Sequence, residues 1–178
     1  MTSESHRPIR IGISSCLLGE QVRYDGGHKR DPFVTGAFGT LVEWVQCCPE
    51  VECGLGVPRE SMRLVRVGPR IRLLTAETTV DLTDRMEEYV ERRVRQLARE
   101  DLSGYVLKKD SPSCGLEHVK VYDARGVPAR SGRGVFAARL VEQFPDLPIE
   151  EEGRLSDPRL RKNFVERVFA YWRLRVRE

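Results

Sequence analysis

What the 178-residue chain lacks narrows its chemistry first. Its five cysteines include no C-x-x-C pair, which removes the usual handle of a structural zinc site and of a dithiol redox motif. Five unevenly spaced cysteines are also too few for a disulfide scaffold, and a reducing compartment would leave them as thiols or metal ligands. No apolar run approaches the roughly 18 to 20 residues of a membrane span, so no membrane partner is expected. The N-terminal "MTSESHRPIR" is polar and has neither the apolar core nor the cleavage site of a secretory signal, and the expected location is cytoplasmic. Aromatics make up 7% of the residues and few stand in the loops, which counts against a metal-stabilised RNA-binding module that stacks bases without turnover. The three histidines form no ligand pattern: His6 is near the terminus, His28 is in a polar loop and His118 opens a strand.

What is present is one domain's worth of alternating elements. The formal charge is +3, and residues 153–178 carry eight Lys/Arg against three Asp/Glu, so the bulk of the chain is near neutral and the tail is basic. Residues 9–14, "IRIGIS", read as a strand that delivers Cys16 to a polar loop. "LVEWVQCC" at 41–48 reads as a strand or helix end, and it delivers Cys48 to "CPE". "MRLVRVGPRIRLLT" breaks at Gly68-Pro69 and predicts a hairpin. The spacing of Met86, Val90, Val94 and Leu97 predicts a helix over 83–100, capped by Thr83 or Asp84, with Glu88–Arg92 and Glu91–Arg95 pairs on its outer face. "GYVLKK" and "HVKVYD" predict strands and 132–144 a second helix. The acidic "PIEEEGRLSDP" reads as a turn ending in a Ser156 or Asp157 cap and Pro158. Leu160, Phe164, Val168 and Trp172 then recur every fourth residue, as on an amphipathic helix that packs on a core. Strand and helix in alternation, with glycine loops at strand ends, predict an α/β fold: a compact Rossmann-like domain whose mostly parallel sheet is flanked by helices, plus a C-terminal amphipathic helix.

Cys16, Cys48 and Cys114 each follow a strand-like run and sit in a turn bearing Gly or Pro. In parallel neighbours those turns share the carboxyl edge of the sheet, where open α/β folds keep their chemistry. Three convergent thiols are one short of a closed zinc tetrahedron and suit an iron–sulfur cluster with one open iron, while small buried hydrophobes remain an alternative reading. Cys47 points to the opposite face of a continuing strand, and Cys53 follows no clear strand. Glu50, two residues after Cys48, and Ser111 and Ser113, around Pro112, offer an acid/base and hydroxyl donors. Lys108 and Lys109 would lower a neighbouring thiol's pKa. Arg59, Arg23, Lys29 and Arg30 are available to a substrate phosphate.

"SSCLLGEQVRYDGGHKR", "CPEVECGLGVPRES", "LKKDSPSCGLEHVKVY" and "GRGVFAARL", in that order, resemble the TudS family of thiouracil and thiouridine desulfidases, over about residues 9–174. The resemblance implies a [4Fe-4S] cluster held by Cys16, Cys48 and Cys114, with Glu50 and Ser111 as catalytic acid/base and hydroxyl, and Asp25 and Ser113 as substrate contacts. It implies non-redox replacement of sulfur by water on a thiolated pyrimidine, whether thiouracil or 4-thiouridine, free or in tRNA, with release of sulfide. Residues 1–150 would be the cluster-binding catalytic domain and 151–178 a basic helical extension, similar to the junction into a further domain in two-domain members.

Overall fold

A computed structural model of the chain describes residues 7–176; His6 lies outside them. The run Arg10–Ser14 (β1) is buried at every position after the first, and Leu102–Leu107 (β5) is buried throughout, as strands covered on both faces must be. They are the two central strands of a four-stranded sheet, with Glu43–Cys47 (β2) beyond β1 and Ile149–Glu151 (β8) beyond β5. All three pairings are parallel. The sheet therefore has one carboxyl edge, and the segments after β1, β2 and β5 all leave from it.

Side-chain alternation gives the sheet two separate cores. Ile11 and Ile13 face Phe164 and Val168 of the C-terminal helix Pro158–Val176 together with Val34 and Phe38. On the other face Leu102 and Tyr105 pack against Thr83–Leu97 (α3) and Val135–Gln143 (α4). Two short helices, Pro32–Thr35 (α1) and Pro49–Glu52 (α2), lie earlier in the chain, and the C-terminal one is α5. No helix among the described residues is long and apolar enough to cross a membrane.

The predicted hairpin forms as Met62–Val67 (β3) and Arg70–Thr75 (β4). It does not join the parallel sheet. Together with Val119–Tyr122 (β6) and Pro128–Gly132 (β7) it builds a second, mixed sheet of order β4-β3-β6-β7, whose inner residues Leu64, Leu73, Val119 and Val121 extend the α3/α4 core. β7 has no apolar pattern to announce it: four of its five residues are exposed. β8 is the other surprise, because Glu150 and Glu151 are buried where the sequence reads as an acidic turn. Their charges are answered locally: Glu151 Oε1 accepts the Leu116 N–H at 2.7 Å and Glu150 pairs with Arg154 at 2.9 Å. β8 also runs through the expected boundary at 150, and α5 beyond it lies on β5, where Val168 and Phe164 approach Gly104.

Two local expectations change. Helix α3 starts after Leu82 without a side-chain cap from Thr83 or Asp84; the Thr83 hydroxyl instead accepts the Leu73 N–H, and Asp81 accepts that of Thr83. Glu91 pairs with Arg95, as expected, and also with Arg139 of α4, while Arg92 lies over the Tyr89 ring. Asp157 does cap α5, accepting the Arg159 N–H at 2.8 Å.

Candidate active site

At the carboxyl edge a cavity of about 460 Å³ is lined by Cys16, Cys48, Cys114, Glu50, Ser111 and Ser113, a size suited to a small-molecule site. Each arrives for a local reason. Cys16 sits in the 3₁₀ turn that follows β1 directly. Cys48 is the N-cap residue of α2, with Pro49 in the first turn, and its N–H donates to Glu52 at 2.9 Å. Cys114 lies in the turn after β5, which the start of α4 holds in place: the Val135 N–H donates to the Pro112 carbonyl, and those of Phe136 and Ala137 to the Ser113 carbonyl. The helix's free amino-terminal donors thus fix the loop that carries the third thiol.

Burial dominates the thiols' acidity. It pushes Cys16 from 9.0 to about 11, against the nearby Lys108 ammonium. It raises Cys114 well above the ordinary value, against a hydrogen bond from Ser14, and it raises Cys48 as well. The expected lowering by lysine therefore reaches Cys16 and loses to desolvation. Among the described residues no group of three His, Cys, Asp or Glu side chains is placed to hold a metal ion, so the thiols stand round the cavity instead of crowding one point. That spread of soft donors from three separate strand ends fits a polynuclear cluster bound through separate irons better than a single zinc. Loading it would displace three thiol protons.

The carboxylate and the two serines form one hydrogen-bonded chain. Ser113 Oγ, 1% exposed, donates to Glu50 Oε1 at 2.9 Å, and Ser111 Oγ lies 3.0 Å from Ser113 Oγ. Because Ser113 spends its only proton on the carboxylate, Ser111 is the donor between the hydroxyls. Ser111 Oγ also accepts the N–H groups of Ser113 and Cys114, at 3.2 and 3.0 Å. Glu50's other oxygen is held by Arg59 Nε at 2.9 Å and by its Nη2.

Arg59 is a participant that the sequence reading misplaced. Its side chain is 8% exposed, and it also donates to the Val22 carbonyl at 2.9 Å, so it clamps Glu50 instead of meeting a substrate phosphate. The signal was available in the short spacing of "CPE" and "VPRE", which a carboxylate and a guanidinium can span as a bidentate pair. Asp25 is not brought to the cavity: its carboxylate accepts the Gly27 N–H at 3.0 Å and pairs with Arg23, while Tyr24 and Arg23 line the wall. Cys47 also lines the cavity; its sulfur lies 3.3 Å from the Tyr89 hydroxyl, and burial, with Glu52, raises it to about 12. Cys53 donates to the Glu50 carbonyl and helps close α2.

Fold and site together define an α/β protein with a thiol-lined reaction cavity at the carboxyl edge of a parallel sheet. The family profile described as 2-thiouracil desulfurase matches residues 11–152. The chain is 32% identical over 135 residues to the uncharacterized protein YbbK of Bacillus subtilis (strain 168), covering 73% of this chain and 88% of that one. It also resembles the solved structure of the [4Fe-4S]-dependent thiouracil desulfidase TudS, with a TM-score of 0.68 and 30% identity over 87% of this chain and 98% of that one. The chain belongs to the 2-thiouracil desulfurase family. Membership carries enzyme status and a thiolated pyrimidine as the class of substrate.

Proposed function

We propose that the chain is a [4Fe-4S]-dependent desulfidase that hydrolyses the C=S bond of a thiolated pyrimidine, thiouracil or 4-thiouridine, releasing sulfide. The observation that carries this reading is the joining of Glu50, Ser113 and Ser111 in one hydrogen-bonded chain on the wall of the cavity that Cys16, Cys48 and Cys114 line. Those three cysteines would hold the cluster. When bound, it supplies an open iron whose Lewis acidity suits a soft thiocarbonyl sulfur.

The remaining work falls to this chain's own side chains. Arg59 fixes the Glu50 carboxylate through two N–H donors, so one oxygen faces Ser113 and the cavity. Glu50 then acts as general base, taking a proton from the water that attacks the thiocarbonyl carbon, either directly or through the serine pair. Ser111 accepts two backbone N–H groups and donates to Ser113; on substrate binding it turns that proton toward the pyrimidine to steady developing negative charge there. Asp25 shapes the loop that carries Tyr24 to the cavity wall.

The balance is C=S plus H₂O giving C=O plus H₂S, with no electrons exchanged. Turnover of a thiolated pyrimidine by reconstituted protein in H₂¹⁸O tests this directly. The product carbonyl is expected to carry one ¹⁸O per sulfide released. Unlabelled product, or a requirement for an added reductant, would overturn the hydrolytic reading.

A further inference from the structure

Among the described residues three buried side-chain atoms have no hydrogen-bond partner: Arg63 Nε, Arg93 Nε and the Tyr105 hydroxyl oxygen. The two guanidinium groups still meet favourable company. Arg93 Nε lies 3.6 Å from the Glu52 carboxylate, and the Arg63 guanidinium rests 5.2 Å from the Tyr122 ring centroid. Tyr105 is fully buried and its hydroxyl has no such answer. A buried donor kept without an acceptor is costly, and a site that receives its acceptor from a bound group accounts for it.

Strand register shows where that hydroxyl is sent. Tyr105 of β5 pairs with Gly12 of β1, and Gly12 pairs with Val45 of β2, two residues before Cys47. A Cβ on Gly12 would come 2.1 Å from a Tyr105 ring carbon, so the ring crosses β1 where only glycine leaves it room. Phe136, in the first turn of α4, packs on it with ring centroids 5.7 Å apart. Tyr105, Cys47 and Cys114 share the core beneath α3 and α4, and both cysteines also line the reaction cavity. Burial pushes the hydroxyl well above its ordinary range, and the Cys47 and Cys114 sulfurs, next in effect, push the same way. The ring thus carries a bound proton from a central strand to the back of the cavity.

Cys47 is a poor acceptor for that proton. Its S–H is directed to Tyr89, whose own hydroxyl donates to Glu52 at 2.6 Å, and a neutral thiol sulfur accepts only weakly. Cys114 differs once it binds iron, because it is then a thiolate, and a charged acceptor makes the stronger hydrogen bond.

We propose that Tyr105 is a hydrogen-bond donor to the [4Fe-4S] cluster, held for the cluster's sulfur at the Cys114 corner. The inference rests on the cluster assigned to Cys16, Cys48 and Cys114, and not on the desulfuration step. Such a bond draws negative charge off the cluster, which favours its reduced form and its retention.

Tyr105→Phe keeps the ring and removes the donor. In the apoprotein it deletes an orphaned group, so the melting temperature is expected to equal or exceed that of wild type. In anaerobically reconstituted protein the reduction potential, read by electron paramagnetic resonance during a redox titration, is expected to fall. At the poise that half-reduces wild type, the ratio of reduced to oxidised cluster drops about tenfold, the size of one hydrogen bond to a charged acceptor. Cys47→Ala is expected to leave the potential in place. An unchanged potential in Tyr105→Phe overturns the inference, and so does an equal fall in Cys47→Ala, which would put the acceptor on Cys47. A lower-melting Tyr105→Phe apoprotein also overturns it, because the hydroxyl would then serve the fold. A Tyr105→Phe apoprotein as stable as wild type that takes up less iron upholds it through retention. A wild type that takes up no cluster overturns this inference and the desulfidase reading together, whereas the expected shift without desulfuration leaves the donor standing and only the desulfidase reading falls.

Discussion

Glu50 has a different partner on each oxygen, Arg59 on one and Ser113 on the other, and the two contacts make separate predictions. Glu50→Gln keeps the shape and removes the base. Turnover is expected to fall by about 10² to 10⁴ while the cluster's visible absorption stays at the wild-type level; full turnover would sink the general-base role. Arg59 acts through Glu50. The pair is 8% and 14% exposed, so Arg59→Ala leaves a largely buried carboxylate unpaired and is expected to lower unfolding stability by about 3 kcal/mol. The double variant Arg59→Ala/Glu50→Gln removes the stranded charge and is expected to recover part of that loss in denaturant titrations of the holoprotein. A double variant no more stable than Arg59→Ala would show that Arg59 stabilises by other contacts. That the three thiols, Glu50 and the serines gather at one edge was legible because each follows a strand end by one to seven residues in a turn of distinctive composition. Arg59 was not, because ion pairing across a loop leaves no periodic trace.

The decisive element-level contact is the seat of the Cys114 turn on the start of α4. Gly134 is packed so closely there that a Cβ would come within 2.4 Å of the Ser113 carbonyl oxygen and 2.8 Å of the Cys114 nitrogen. Both are backbone atoms and cannot swing aside. Gly134→Ala is therefore expected to displace the turn, giving a protein with native far-ultraviolet circular dichroism and markedly less iron and acid-labile sulfide per chain after reconstitution. Full iron content would show that the turn is held by other means. At this scale the sequence's periodicities found the central strands, the hairpin and three helices. They missed β7, whose residues are mostly solvated, and β8, whose glutamates are buried only because Arg154 and the Leu116 N–H reach them. Strand signals assume apolar burial, and polar burial satisfied by distant partners defeats them. Nor does a parallel pairing such as Leu64 of β3 with Val121 of β6, 57 residues apart in sequence, follow from local pattern.

For the molecule as a whole, three parallel strands bring their carboxyl ends together, and two helical layers hold them there. Helix α5 is one of those layers. Phe164 is fully buried against the sheet, and Phe164→Ala is expected to cost about 3 to 5 kcal/mol, a fall in melting temperature of roughly 10 °C for a chain of this size. A shift of a degree or two would mean that α5 is an appendage. With that frame intact, the claim that three thiols at one sheet edge equip the chain for desulfuration is open to one direct measurement. Anaerobically reconstituted protein is incubated with 2-thiouracil and with 4-thiouridine, following loss of the thiocarbonyl absorption and release of sulfide, beside the Cys16→Ser, Cys48→Ser and Cys114→Ser variants. The account predicts one sulfide per thiocarbonyl lost in wild type, and neither cluster nor turnover in any variant; a fully loaded wild-type cluster that releases no sulfide from either substrate would contradict it.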